Sequence, residues 1–551
     1  MKTAIPNVAK EAIAVTYQKS GRLAIKITFP LNSEFKSNLT NVKTLPGRIY
    51  HGDENPKYWT CPLSVDAIEA LQFWEFKIDP ALKEFLQKSK VSVDDVQADI
   101  EIPGLGMELF PFQKKGVAFI EAKNGRCLIA DSMGLGKTAQ ALAWLQLHPE
   151  NRPAIVVVPA SLKLNWEREA KMWMEDPKVQ ILSGRKPNTP IIGEIVIINY
   201  DILASWIGKL QEIKPMVLVV DEIHFVKSNS AKRTKAIKVL GKNIPHIIGL
   251  SGTPIVNRPV EAFNALKLID PTITPDFWHF VHRYCGAKHN RYGWDFSGAS
   301  NTQELHDKLT STIMLRRKKE DVLTDLPDKL YSVINLEITN RREYTKAETN
   351  FIAWVKETRG KDAAKKASNA EAFAQIEALK QLTIAGKMKQ AVEWVKDFLD
   401  IDGKLVVFAT HKATIDTLMQ EFKGIAVKID GSVSGQARQD AVDRFQNDDT
   451  IKLFVGNIKA AGVGITLTAA SNVAFLELPW GSAELDQASD RCHRIGQKDT
   501  VNVYYLLGAN TIEETISALI DSKRKVLDAV LDGKETDESS LLSELLKAYQ
   551  K

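Results

Sequence analysis

The stretch Asp131-Ser132-Met133-Gly134-Leu135-Gly136-Lys137-Thr138 has the composition of a phosphate cradle. It follows an apolar run, Cys127 to Ala130, and opens a helical pattern. Glycines let backbone N–H groups turn toward phosphate oxygens, and a helix N-terminus adds positive potential. Lys137 would reach the β- and γ-phosphates of a nucleoside triphosphate, with Gly134 and Gly136 beneath it and the Thr138 hydroxyl on Mg²⁺. The strict pattern of such loops wants Gly at position 131, where this chain has Asp. A second constellation lies at Val217 to His224, where an apolar strand ends in Asp221 and Glu222. Ligands of parallel sheets collect at the C-terminal ends of strands. There Asp221 would hold Mg²⁺ and Glu222 would orient or deprotonate an attacking water. Taken alone, Asp-Glu after a strand also suits a helix N-cap.

A third set lies far along the chain, in Gln487 to Gln497, read as a helix after Pro479-Trp480. Arg491 and Arg494 are three apart and so share a face of that helix. Two guanidiniums there suit a terminal phosphate bound elsewhere, although nearby arginines are more often a solvated face. Gln113, in Pro111-Phe112-Gln113, has an amide able to pair with both donor and acceptor on adenine. Ser251-Gly252-Thr253-Pro254 ends another strand and reads by itself as an ordinary tight turn. Ala460 to Thr468 is rich in small residues. It permits close backbone approach to a phosphodiester or nucleotide, or tight helix–sheet packing, equally well.

The elements that must position these groups follow a repeated grammar. Short apolar runs at 127–130, 154–158, 195–198, 217–220 and 246–250 alternate with helical periodicity, which predicts a parallel sheet covered on both faces. The grammar restarts near 386, with runs at 405–408, 425–429, 453–455, 473–476 and 501–506. The expected organisation is an N-terminal accessory module over 1–105, a first α/β lobe over 106–275, a helical insertion and linker over 276–385, a second lobe over 386–535 and a polar tail over 536–551. In the small α+β module, Ala12 to Tyr17 and Leu23 to Phe29 read as strands joined at Ser20-Gly21. Arg48 to Tyr50 and Tyr58 to Thr60 read as a second pair, followed by a helix over Ser64 to Trp74.

The 551 residues are 44% hydrophobic and 26% charged, an ordinary globular composition consistent with about three or four domains. A net charge of +5 permits a polyanionic partner without establishing one. Cys61, Cys127, Cys285 and Cys492 form no CxxC pair, which argues against a disulfide framework or zinc site. Neither a signal peptide nor a membrane-length apolar run is expected, so the chain reads as soluble and intracellular; a monomer is expected.

Seven stretches in order resemble the superfamily-two helicase-like ATPases of the Swi/Snf type. They are PFQ at 111–113, DSMGLGKT at 131–138, VPASLKLNW at 158–166, DEIHFVKS at 221–228, LSGTPIVNRP at 250–259, MLRRKKEDVL at 314–323 and QASDRCHRIGQ at 487–497. Ala460 to Ser471, Val407 to Lys412 and the stretch from Gly47 to Leu63 are similar to the annealing-helicase (HARP) branch, and Lys459-Ala460-Ala461-Gly462 stands where chromatin-remodelling members tend to have Arg-Ala-Gly-Gly. Ser132 departs from the Glu usual beside the phosphate loop. The resemblance implies two RecA-like lobes, ATP and Mg²⁺ as cofactors, and a DNA-dependent ATPase that translocates on double-stranded or forked DNA. It adds Gln487 to the nucleotide site. It gives Ser251 and Thr253 a coupling role, and Lys163, Asn165, Thr410, His411, Lys459 and Thr466 a DNA-facing role. Alternatives are a strand-separating DNA or RNA helicase, a protein displacer of the chromatin-remodelling kind, and a non-catalytic clamp. The location would be cytoplasmic in a prokaryote or virus and nuclear in a eukaryote.

Overall fold

The computed structural model describes residues 8–16, 23–90, 96–97, 99–252, 258–290, 293–296, 298–323, 326–327, 329–357, 365–401, 403–433, 435–462, 464–531 and 545. The Ser20-Gly21 turn, Thr253, residues 361–364 of the lysine-rich stretch and the tail apart from Leu545 lie outside them.

The N-terminal module is a sheet of β1 (Glu11–Thr16), β2 (Leu23–Thr28), β3 (Ile49–His51), β4 (Tyr58–Pro62) and β5 (Lys77–Ile78), in the order β3-β4-β2-β1-β5. Both expected strand pairs are present and antiparallel, Glu11 opposite Thr28 and Ile49 opposite Thr60. The expected helix runs over Val65–Phe73, where the Ser64 hydroxyl accepts from the Ala67 amide at 3.2 Å. The module is tied to the first lobe by an ion pair of 2.5 Å between Asp66 and Lys308.

The first lobe is built on β6 (Arg126–Ile129), β7 (Ala154–Val158), β8 (Val179–Ile181), β9 (Ile195–Asn199), β10 (Val217–Asp221) and β11 (His246–Leu250). Every pairing among them is parallel. Alternation explains the layers: Leu128, Val157 and Leu218 face one hydrophobic core, and Ile129, Val156 and Val219 face the other. Such strands are apolar throughout because helices cover both faces.

The stretch 276–385 departs from the helical insertion expected of it. A small antiparallel pair, β12 (Lys288–Asn290) and β13 (Gly293–Asp295), interrupts it. Two further strands in it belong to the sheets. β14 (Met314–Leu315) joins the first beside β6, which gives the order β14-β6-β11-β10-β7-β9-β8. β15 (Lys329–Leu336) joins the second sheet at its edge. β15 leaves Leu330, Tyr331 and Val333 exposed, so it lacks the unbroken apolar run of a strand buried on both faces. Helices Arg341–Glu357 and Lys365–Ile401 follow, and the second of these runs through residue 386, where a lobe boundary was expected.

The second sheet adds β16 (Leu405–Ala409), β17 (Ala426–Ile429), β18 (Leu453–Asn457), β19 (Asn472–Phe475) and β20 (Val501–Gly508), in the order β15-β20-β19-β16-β18-β17. It is also parallel, with Val406, Phe454 and Val473 on one core and Val407, Val455 and Ala474 on the other. All four cysteines are buried thiols, and among the described residues no helix is long and apolar enough to cross a membrane.

Candidate functional site

The P-loop sits between β6 and the helix Lys137–Leu147, with Gly134 and Gly136 at φ of 86° and 74°. Only glycine takes such angles readily. A Cβ on Gly136 would also stand 2.3 Å from Gln113 Nε2. Gln113 braces the loop from beneath: its Nε2 donates to the Leu135 carbonyl at 3.2 Å and its Oε1 accepts from the Phe110 amide at 3.0 Å. Its amide, expected to read adenine, is 3% exposed and engaged with these partners. Lys137 Nζ donates to the Asp131 and Ser132 carbonyls at 2.7 and 3.2 Å. Burial lowers the Lys137 pKa, against the opposing charges of Glu222, Asp131 and Asp221.

β10 ends beside β11 and delivers Asp221 into the same cleft. Trp166, from the helix Lys163–Trp173, donates its indole N–H to Asp221 Oδ2 at 2.8 Å. Tyr200 donates its hydroxyl to the Asp221 carbonyl at 2.5 Å. Burial and the Glu222 charge both raise the Asp221 pKa. Glu222 has φ of 49°, and its pKa is raised by burial against the pull of Lys137 and Arg491. Among the described residues its buried Oε2 has no hydrogen-bond partner. The nearest ring nitrogen, His224 Nδ1 at 3.3 Å, is engaged with Ser251 Oγ at 3.1 Å. Burial depresses His224 to about 4, so it is neutral there.

The second lobe closes over this cleft. Gln487 Nε2 donates to Glu222 Oε1 at 3.1 Å, joining residues 265 apart in sequence. Arg491 and Arg494 do not share a helix face as expected. Their helix, Ser482–Ser489, ends before them, and both arginines lie in the turn that follows. Arg491 is 3% exposed and held by the Gln487 carbonyl at 3.0 Å. Burial, with Arg494 beside it, lowers Arg491 to about 9. Arg494 donates from Nε to the Asp490 carbonyl at 3.2 Å and from a terminal nitrogen to Thr466 Oγ1 at 3.3 Å. Its Cγ lies 3.1 Å from where a Cβ on Gly134 would be, so the guanidinium arm crosses the P-loop.

The DNA-facing candidates divide. Lys459 is exposed. Lys163 Nζ reaches the Leu182 carbonyl at 3.2 Å and Ser183 Oγ at 3.3 Å, and Asn165 donates to Glu169 at 2.8 Å. Thr466 Oγ1 accepts from Arg494 at 3.3 Å. Thr410 and His411 both give their amides to the buried Glu477 carboxylate, and the His411 ring sits between Glu477 and Glu377 at 2.5 and 3.0 Å. The small-residue stretch admits the other lobe: a Cβ on Gly464, at φ of 71°, would lie 1.8 Å from Leu162 Cδ2.

Several contributors carry no signature of their own in the sequence. Trp166 and Arg317 fall inside stretches quoted above, but nothing in them names a partner. Asp131, 0% exposed, receives Arg317 on both oxygens, Nε at 3.0 Å and a terminal nitrogen at 2.5 Å, and Gln140 at 3.1 Å. The glycine-to-aspartate departure at 131 therefore has a structural partner.

A family model described as SNF2-related domain matches residues 112–391, and one described as helicase conserved C-terminal domain matches 386–496. The human DNA annealing helicase and endonuclease ZRANB3 is 33% identical over 452 residues, covering 78% of this chain and 41% of that protein. The Caenorhabditis elegans homolog of SWI/SNF-related matrix-associated actin-dependent regulator of chromatin subfamily A-like protein 1 is 34% identical over 463 residues, covering 80% of this chain and 64% of that one. The chain thus spans well under the full length of these relatives. The solved Sulfolobus solfataricus SWI2/SNF2 ATPase core in complex with dsDNA aligns at 25% identity and a TM-score of 0.39, over 79% of this chain and 95% of that chain.

Proposed function

The chain belongs to the SNF2-related family of helicase-like proteins, and on that premise we propose that it is a DNA-dependent ATPase that moves along double-stranded or branched DNA and remodels or reanneals forks. The observation that carries the reading is the meeting of two lobes at one cleft. Lys137, Asp221 and Glu222 from the first face Arg491, Arg494 and Gln487 from the second, with a direct hydrogen bond between Gln487 and Glu222. Relatives named as annealing helicases support the fork-directed part.

The P-loop amides and Lys137 bind the phosphates of ATP. Thr138 and Asp221 would hold Mg²⁺. The buried, unbonded Glu222 oxygen and the clamped Asp221 carboxylate fit a cation and a water better than an empty apolar cleft. Mg²⁺ there supplies charge neutralisation at the terminal phosphates. Glu222 orients the attacking water and takes its proton; burial raises its pKa, against the pull of Lys137 and Arg491. Arg491 and Arg494 stabilise the charge that develops on the transferred group, a contribution of roughly 10³–10⁵ in rate for arginines so placed. Because they come from the other lobe, hydrolysis requires closure. Ser251, bonded to His224 beside Glu222, and Thr253 couple phosphate state to the first lobe. Lys163, Asn165, Lys459 and the Thr410–His411 turn form the DNA side, where a phosphate grip gives little sequence preference and steep salt dependence.

The test is steady-state ATP hydrolysis with no nucleic acid, single-stranded DNA, blunt duplex, forked DNA and RNA, with Lys137→Ala as the blank. Strongest stimulation by duplex or fork supports the proposal. Strongest stimulation by RNA or single strands replaces it with a strand-separating helicase.

A further inference from the structure

The segment Arg316-Arg317-Lys318-Lys319 runs out of β14 toward the second lobe, and its two ends are fastened to opposite sides of the nucleotide cleft. At the first end, the Arg317 amide and guanidinium both bond the buried Asp131, the residue that enters the P-loop. Arg316 donates to the Ala130 carbonyl at 3.1 Å. At the other end, two residues on, Lys319 Nζ pairs with Asp490 at 2.8 Å and donates to the His493 carbonyl at 2.6 Å. These are the residues that flank Arg491 and precede Arg494. Lys319 Cε is also 3.4 Å from where a Cβ on Gly134 would be, so its stem lies along the P-loop.

The anchorage in the second lobe is a closed ionic group. Asp490 is shared by Lys319 and Lys329, and Lys329 also donates to Ser489 Oγ at 3.1 Å. Burial alone would raise Asp490, but the two ammonium groups outweigh it and hold it below the usual carboxylate range. Burial lowers Lys319 to about 7; burial also opposes the Lys329 charge, but Asp490, Tyr331 and Asp486 together outweigh it and raise Lys329. His493 Nε2 meets the Pro327 carbonyl at 2.7 Å, which fixes the same turn to the linker a third time.

We propose that Lys319 is a positioning residue for hydrolysis: with Arg317 it makes the linker a strap that registers the Arg491–Arg494 turn against the P-loop. Resting on the ATPase reading above, this adds a residue whose ammonium group acts through the arginine-bearing turn. An arginine must sit within a fraction of an ångström of its place to stabilise transferred charge. A misplacement of about 1 Å from a change outside the chemistry can cost on the order of a hundredfold. Asp131 belongs to the loop that holds the phosphates, and Asp490 to the turn that carries the arginines. A tether of two residues between their partners limits how far the turn can drift once the lobes meet.

The test uses the full chain with Lys319→Met, Lys319→Arg, Arg494→Ala and the Lys319→Met/Arg494→Ala double variant. Each is assayed for duplex-stimulated kcat, ADP affinity and melting temperature. Lys319→Met is expected to lower kcat about tenfold to a hundredfold while ADP affinity stays at the wild-type value, because methionine keeps the apolar stem along the P-loop and loses only the ammonium that holds Asp490 and the His493 carbonyl. Lys319→Arg, which keeps a cation in reach of Asp490, recovers most of the rate. The double variant loses less than the product of the two single losses, since with Arg494 gone the strap has only Arg491 left to position. Wild-type kcat in Lys319→Met, additive losses in the double variant, or a parallel loss of ADP affinity would each overturn the strap. If Lys319→Met proves unfolded by melting, Lys319→Arg against Lys319→Gln supplies the same comparison. A wild-type chain that hydrolyses no ATP with any DNA would instead sink the ATPase reading, which keeps the two failures apart.

Discussion

Asp131→Ala tests the first-lobe end of the linker most directly. Asp131 is fully buried, and the Arg317 side chain is 10% exposed. The carboxylate satisfies the Arg317 amide, two guanidinium nitrogens and the Gln140 amide at once. Its removal leaves a buried guanidinium, stacked over the Phe112 ring at 5.4 Å, with no counter-charge. Breaking a buried pair from one side costs about 3–5 kcal/mol, because the remaining charge stays desolvated. For a lobe of this size each kcal/mol moves the melting temperature by about 2–4 °C, so a fall of roughly 6–20 °C is expected. Thermal melting followed by tryptophan fluorescence reads it, with Trp144 and Trp166 both buried in that lobe. Asp131→Gly, which restores the strict phosphate-loop pattern, should lose at least as much. Asp131→Ala combined with Arg317→Met should recover most of the loss, because replacing both partners removes the stranded charge. A single-variant loss below about 1 kcal/mol, the range of exposed ion pairs, would refute the reasoning.

Glu222→Gln should bind ATP and DNA as the wild type does but hydrolyse about 10²–10⁴-fold more slowly; near-normal turnover would remove Glu222 from the base role. Trp166→Phe keeps the ring packing and deletes the N–H that orients Asp221. The Mg²⁺ concentration for half-maximal hydrolysis should rise about 10–100-fold, and an unchanged Mg²⁺ titration would show the bond to be incidental. His493 is buried, and burial, aided by the Lys319 charge, depresses it from 6.5 to about 4. The unfolded chain therefore binds more protons between those values, and stability is lost as pH falls from 6.5 toward 4. His493→Gln should flatten that part of a melting-temperature profile, by an amount on the order of 3 kcal/mol at the acid end.

What the sequence made legible is what a short window contains. The strands of both lobes announce themselves because buried parallel strands are apolar without a break, and Val217–Val220 is fully buried as that pattern requires. The P-loop is legible because its glycines, lysine and threonine act through the local backbone. β14 and β15 escaped notice because one has two residues and the other lies at an edge with three apolar residues exposed. The end of the helix before Arg491 escaped for a different reason. Residues 482–495 contain no proline or glycine to mark a stop, and the chain turns at Asp490, where Lys319 and Lys329 take its carboxylate. That pull comes from partners 171 and 161 positions away, a separation no local pattern reports.

The same limit governs the site. Asp221 and Glu222 could be proposed from a strand and its ending, yet the groups that orient them come from elsewhere: Trp166 at a separation of 55 residues and Gln487 at 265. The small residues near 460–468 show how one local pattern serves two geometries. Gly464 does permit close approach, but what approaches is Leu162 of the other lobe, two residues past Ala160 in a stretch whose helix also carries Trp166. Thr466, two residues beyond, bonds Arg494 and not a surface-facing group. The segment 162–166 therefore packs against the second lobe at one end and holds Asp221 at the other. Lys163 and Asn165 lie between those two contacts on the same rigid turn. A displacement of either one on engaging a phosphodiester would be felt at Asp221 within a single helical turn, about 5.4 Å of rise. On the proposed roles, that shortness would let the DNA side and the nucleotide side share one element, with no long chain of contacts between them.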